Sequence, residues 1–277
     1  MNINDLTKLY NFENKTVVVT GGTGVLGGEI GAALAGCNAN VAICDLNTNL
    51  SPELELKFKD SNGKLTIYEC DVLSQKSIQK VVDKVIKDYG KIDLLVNAAG
   101  GNHAKATTSP DLPFFDIPID AFNKVMGLNL SGTVIPSQVV GKQFAVQKHG
   151  ITLNISSMNA FRPLTRIPAY SAAKAAVSNF TQWLAVHMAQ EYSTNIRVNA
   201  IAPGFFLTEQ NRFLLTDKDS GELTERGKQI IGHTPLGKFG NPEDLLGAVL
   251  WLLSPASSFV TGIVLPIDGG FSAYSGV

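Results

Sequence analysis

Seven short apolar runs, alternating with helix-like segments, constrain this chain more than any other feature. They are TVVVT (16–20), NVAICD (40–45), LTIYEC (65–70), IDLLVN (92–97), ITLNIS (151–156), IRVNAIA (196–202) and GIVLPI (262–267). Several are apolar at successive positions rather than alternate ones, as in strands covered on both faces of a parallel sheet. Segments between them, such as SQKSIQKVVDKVIKDYG (74–90), space apolar residues three and four apart, the pattern of a helix face. The alternation predicts an α/β doubly wound Rossmann fold: a seven-stranded parallel sheet with helices on both faces. No repeat or linker divides the 277 residues, which read as one domain. One irregular stretch, near 205–240, interrupts the alternation, and so long an excursion in a compact domain usually serves function.

Composition excludes several classes. The net charge is -1 and only 17% of residues are charged, so no clustered basic surface for nucleic acid is expected. The opening MNINDLTKLYNFENK has early acids and no apolar core, unlike a signal peptide. The longest aliphatic run, LLGAVLWLL (245–253), falls short of the ~20 residues that span a bilayer. A cytoplasmic protein without membrane contact is expected. Cys37, Cys44 and Cys70 lie outside any ligand spacing and read as small buried hydrophobes, their odd number fitting a reducing compartment. The histidines are scattered, and no catalytic metal is expected.

After the first run comes TGGTGVLGGEI (20–30), in which Gly22, Gly24 and Gly27 fit G-x-G-x-x-G between a strand and a helix. Glycine there allows a tight turn and close approach to a pyrophosphate, whose charge the helix N-terminus favours. Asp45 closes the second run, 18 residues after Gly27. A carboxylate there can accept hydrogen bonds from a ribose 2′-OH and repel a 2′-phosphate, which favours NAD(H) over NADP(H). Asp71 ends the third run, where an adenine contact can form, and NAAG (97–100) ends the fourth.

YSAAK places Tyr170 and Lys174 four apart on one helix face. A tyrosine at its ordinary pKa is a poor acid/base group at neutral pH, and a nearby ammonium lowers that pKa. Carbonyl reduction needs such a proton donor. Ser157, 13 residues before Tyr170, can bond the substrate oxygen.

TGGTGVLG, CDV, NAAG, LNLSG, ISS, YSAAK, PGFFLT and IDGG occur here in one order, and in it the chain resembles the short-chain dehydrogenase/reductase family over essentially its whole length. The resemblance implies Tyr170 as proton donor or acceptor, Lys174 as its pKa modifier and a ribose contact, Ser157 as oxygen ligand, and Asn129 as holder of a relay water. It implies cofactor contacts at Gly21, Thr23, Leu26, Asp71, Val72, Asn97 and Gly100, with Pro203, Phe206 and Thr208 on the nicotinamide side. The single-domain branch usually carries T-G-x-x-x-G-x-G. Here Val25 replaces one glycine, and the register is T-G-x-x-G-x-x-G. PGFFLT, IDGG and the length still favour the single-domain branch.

The substrate pocket is expected to combine GGNHAKATT, MNAFRPLTRIPA and the 205–240 excursion. Asn102, His103, Asn159, Arg166 and Arg212 are the candidate substrate residues, with Lys105, Arg162 and Asn211 nearby. Cations with amides suit a polyhydroxylated carboxylate. GGNHAKATT, SSMNAF and DGGFSAYSGV resemble the family members that interconvert D-fructuronate and D-mannonate with NAD(H). Gluconate and 2-deoxygluconate dehydrogenases, an acyl-carrier reductase and a non-catalytic nucleotide-binding protein are the alternatives. Relatives are commonly tetramers paired through two long helices, here near 120–147 and 170–193, and the apolar C-terminal FSAYSGV is a further candidate contact between subunits.

Overall fold

The computed structural model describes residues 2–207, 212, 215–217 and 220–276. Helix α1 (Ile3–Leu9) precedes the first strand, β1 (Thr16–Thr20). Then follow α2 (Val25–Gly36), β2 (Asn40–Asp45), α3 (Pro52–Lys59), β3 (Leu65–Glu69), α4 (Gln75–Tyr89) and β4 (Leu94–Asn97). The second half runs α5 (Ile119–Met126), α6 (Gly132–Gln147), β5 (Gly150–Ile155), α7 (Pro168–Glu191), β6 (Ile196–Pro203), α8 (Glu225–Gly232), α9 (Leu246–Leu253) and β7 (Val264–Ile267). All the strand pairs are parallel, in the order β3-β2-β1-β4-β5-β6-β7.

Every residue of β1 is buried. Val17 and Val19 face one core layer with Ile30 and Leu34 of α2 and Val249 and Leu252 of α9. Val18 faces the other, with Val81 and Val85 of α4, Phe144 of α6 and Leu184 of α7. This two-sided burial explains the unbroken apolar runs. Helix α4 shows how the sequence sets its own limits. Ser74 caps its start by accepting from the Ser77 amide at 3.2 Å, and Gly90 ends it in the left-handed conformation at φ 81°.

Chain order reverses between β1 and β4, which opens a crevice at the strand C-termini. Two elements around it differ from the sequence expectation. The helix expected over 120–147 is broken by a π turn, Gly127–Ser131, between α5 and α6. The 205–240 excursion carries α8 and is closed at its base. There the Leu207 amide donates to Gly240 O and the Gly240 amide to Phe205 O, both at 2.9 Å.

Candidate active site

The crevice is a cavity of about 740 Å³. At one end it is walled by Gly21, Thr23, Leu26, Asp45 and Val72, all expected as cofactor contacts. Two glycines fix the loop there. Gly21 has φ 65°, and a Cβ on it would lie 2.7 Å from the Ala99 backbone. A Cβ on Gly27 would run into the Gly21 carbonyl oxygen. Both glycines belong to either family register. Gly24 is only the N-cap of α2, and Val25 opens the helix, where an L-residue fits. The unusual register therefore leaves the turn intact. Asp45 also caps this loop: its Oδ2 accepts from the Thr23 amide at 3.2 Å, while its Oδ1 accepts from the Asn47 amide at 3.4 Å.

Two expected contacts lie off the cavity wall. Asp71 does not line the cavity; its Oδ1 accepts from the Leu73 amide at 2.9 Å in the turn toward α4. Asn97 is buried beneath it, where Nδ2 donates to Ser137 Oγ at 3.0 Å and Asn154 Oδ1 at 2.8 Å. Strand pleating turns it into the helix layer and leaves its neighbours Ala98, Ala99 and Gly100 on the cavity wall.

In the middle of the cavity the end of β5 grips α7 with three consecutive residues. Ile155 O accepts from Lys174 Nζ at 2.7 Å. Ser156 Oγ donates to Lys174 O at 3.1 Å and lies 2.6 Å from Ser178 Oγ. Ser157 is hydrogen-bonded to Tyr170. Positions 170, 174 and 178 are successive turns of one helix face, so the grip fixes the helix rotation. Burial pushes Lys174 down to about 8. Burial also raises the Tyr170 phenol, and the Ser157 hydrogen bond opposes it. Lys174 Nζ lies 5.5 Å from the ring centroid and points its bond at Ile155 O.

Asn129 sits in the π turn, wholly buried and outside the cavity wall. Nδ2 donates to Gly101 O at 2.7 Å and Val125 O at 2.8 Å, while Oδ1 accepts from the Gly101 amide at 3.2 Å. Both of its N–H groups are occupied, which leaves one Oδ1 lone pair to hold a water. Gly100 lies so close that a Cβ there would be 2.7 Å from Oδ1 and 3.2 Å from Lys174 Nζ.

Pro203, Phe206 and Asn102 also line the cavity. The other expected substrate residues lie outside the wall. His103 is exposed and its Nδ1 accepts from the Lys105 amide at 3.2 Å. Asn159 is buried and braces its own loop, Oδ1 accepting from the Leu164 amide at 3.2 Å. Arg162, Arg166 and Arg212 are exposed. The Arg166 carbonyl accepts from the Thr108 amide at 2.8 Å, which ties the loop after β4 to the loop before α7. Thr208 and Asn211 lie outside the described residues. Sequence reasoning missed Ser156 and Phe205 on the wall; each sits beside a residue it did name. Among the described residues no group of three or more His, Cys, Asp or Glu is placed to hold a metal. None of the described helices is long and apolar enough to cross a membrane.

A family model described as Enoyl-(Acyl carrier protein) reductase matches residues 24–272. The chain belongs to the short-chain dehydrogenase/reductase family. An uncharacterized oxidoreductase of Haemophilus influenzae is 45% identical to this family member over 97% of this chain and 96% of its own. The crystal structure of a Haemophilus influenza protein provisionally named D-mannonate oxidoreductase, with bound NAD, superposes with a TM-score of 0.90 at 44% identity. That match covers 98% of this chain and 100% of the other. The 2-dehydro-3-deoxy-D-gluconate 5-dehydrogenase of Dickeya dadantii is 33% identical over 95% of this chain and 98% of its own. The short-chain dehydrogenase/reductase described here is thus an oxidoreductase of alcohol and ketone groups.

Proposed function

We propose that this single Rossmann unit is an NAD(H)-dependent reductase that interconverts D-fructuronate and D-mannonate. The observation that carries the reading is that Tyr170, Ser157 and Lys174 share one cavity with the glycine loop and Asp45. The loop amides at the start of α2 and the carboxylate at the end of β2 fit a pyrophosphate and a free ribose 2′-OH. The NAD in the related Haemophilus structure supports the same cofactor, and its name supports the sugar acid. The Dickeya relative supports a second reading, a keto-deoxygluconate substrate.

Reduced nicotinamide, when bound, supplies the hydride. Tyr170 Oη gives a proton to the ketone oxygen as its carbon is reduced, and Ser157 Oγ holds that oxygen. Lys174, buried and close to neutral pKa, returns the proton to the phenol. Asn129 holds the relay water at its remaining Oδ1 lone pair and keeps Gly100–Gly101 against Lys174. Asn102 meets the sugar hydroxyls, while His103, Arg166 and Arg212 meet the carboxylate at the rim. Pro203 and Phe206 stand on the nicotinamide side.

We further propose a cytoplasmic homotetramer joined through α6 and α7. Phe180, Trp183, His187 and Tyr192 form a run of adjacent rings along α7, and Trp183 and Val186 are each 57% exposed. Sedimentation of the purified chain tests the assembly, and a monomer refutes it. NADH oxidation at 340 nm tests the chemistry with fructuronate, a keto-deoxygluconate and an acetoacetyl thioester, each repeated with NADPH. Turnover of fructuronate with NADH is expected. Preference for the thioester or for NADPH overturns the substrate or cofactor reading, and no turnover despite NADH binding points to a non-catalytic role.

A further inference from the structure

The C-terminal turn reaches the substrate end of the cavity through a chain of rings. Asp268, just past β7, starts the turn: its Oδ1 accepts from the Gly270 amide at 2.9 Å and its Oδ2 from the Ser272 amide at 2.8 Å. Gly269 and Gly270 have φ of 63° and 88°, and a Cβ on Gly269 would lie 2.8 Å from Thr234 Cγ2. The Leu236 amide donates to Gly269 O at 3.1 Å. The turn is therefore pressed against the end of the 205–240 excursion.

Phe271 follows, 8% exposed. Its ring meets Phe205 edge-on at 5.2 Å between centroids and His233 edge-on at 4.8 Å. The His233 ring also meets the Tyr274 ring, tilted, at 5.0 Å between centroids. Phe205 is part of the cavity wall. Phe271 also belongs to a buried cluster with Met158, Leu215 and Ile230. Met158 is the neighbour of Ser157, while Leu215 and Ile230 come from the excursion. FSAYSGV, expected at a subunit contact, thus packs its first aromatic within its own chain.

We propose that Phe271 is a positioning residue for the substrate end: it sets where Phe205 and α8 stand relative to Ser157 and Tyr170. The sheet is complete at Ile267, so Phe271 adds nothing to its strand pairing. Edge-on ring pairs hold a preferred geometry that an aliphatic side chain of similar bulk does not reproduce. The inference rests on the reading that a ketone is reduced in this cavity.

The test uses the full chain with Phe271→Ala and Phe271→Leu. Three readouts are taken: NADH Kd by fluorescence, KM and kcat for a ketone that the wild type reduces, and hydrogen exchange of residues 223–240 in the NADH-saturated protein. Phe271→Leu should melt near wild type yet raise KM roughly tenfold, because small displacements at a reacting centre are costly. Its NADH Kd should stay within about twofold while exchange in 223–240 quickens, and Phe271→Ala should do the same more strongly. Unchanged KM and exchange in Phe271→Leu overturn the proposal, as does a loss of NADH affinity parallel to the rise in KM. Failure of the wild type on fructuronate refutes the substrate reading alone. The exchange measurement needs no substrate, and a ketone the wild type does reduce supplies the kinetics.

Discussion

The two ends of the cavity are built differently. The nucleotide end consists of strand termini, backbone amides and glycines whose missing Cβ atoms are filled by neighbouring backbone. The substrate end consists of loops whose positions depend on side-chain packing: Met158, Leu215, Ile230 and Phe271 under the excursion, and Ala106 with Ala169 and Tyr170 under the loop after β4. Strands of a parallel sheet are fixed by pairing on both sides, whereas loops are fixed only by what they touch. The first end should therefore respond to substitution abruptly and the second by degrees.

The largest effect falls where the two ends meet. Tyr170→Phe removes the proposed proton donor and should lower ketone reduction by roughly 10²–10⁴-fold. NADH titration of that variant should be close to wild type, and full turnover would discard the proposed chemistry. Next, Gly27→Ala forces a Cβ onto the Gly21 carbonyl. Overpacking of about 1–3 kcal/mol makes NADH binding weaker by roughly tenfold or more. Equal affinity in that variant would mean the loop is as yielding as the other end.

Lys174 tests the contact zone through pH. Its folded pKa, about 8, lies below the ordinary 10.5, so the unfolded chain binds the extra proton between these values. The charged form is disfavoured when folded, and wild-type stability should rise from pH 8 to 10.5 relative to Lys174→Met. The gain should approach about 3 kcal/mol at 1.36 kcal/mol per pH unit. Parallel melting curves for the two proteins would contradict this. A smaller change follows from Asp45→Ala, which should relax the preference for NADH over NADPH by roughly tenfold, about 1.4 kcal/mol. The smallest belongs to the rim: Arg166→Ala, an exposed cation, should raise the KM of a sugar acid by only about two- to fivefold. A hundredfold rise would move Arg166 from the rim into the pocket.

What could be read in advance follows the same division. TVVVT and NVAICD became β1 and β2 without change, and their ends delivered the glycine loop and Asp45 to the crevice, because burial pattern and backbone geometry are local properties. Asn97 shows the limit. It stands at a strand end on the right edge, but pleating turns it into the core, and NAAG alone does not give that phase. Arg162 and Arg166 show it more sharply. Their side chains are exposed, while Asn159 and the Thr108 bond hold the loop backbone. The π turn at Asn129 had no visible signal either, because a widened turn preserves the apolar spacing on each side of it.

The closed base of the excursion bears on how such a protein can change. Phe206 faces Gly240 with paired backbone bonds, so the span between them starts and finishes at one spot on the sheet edge. Lengthening a span anchored this way costs only about 0.6 kcal/mol per doubling. Insertions and deletions there need not disturb the strands behind. Lineages can exchange that span like a fitted attachment, acquiring new substrates while the hydride machinery is inherited whole.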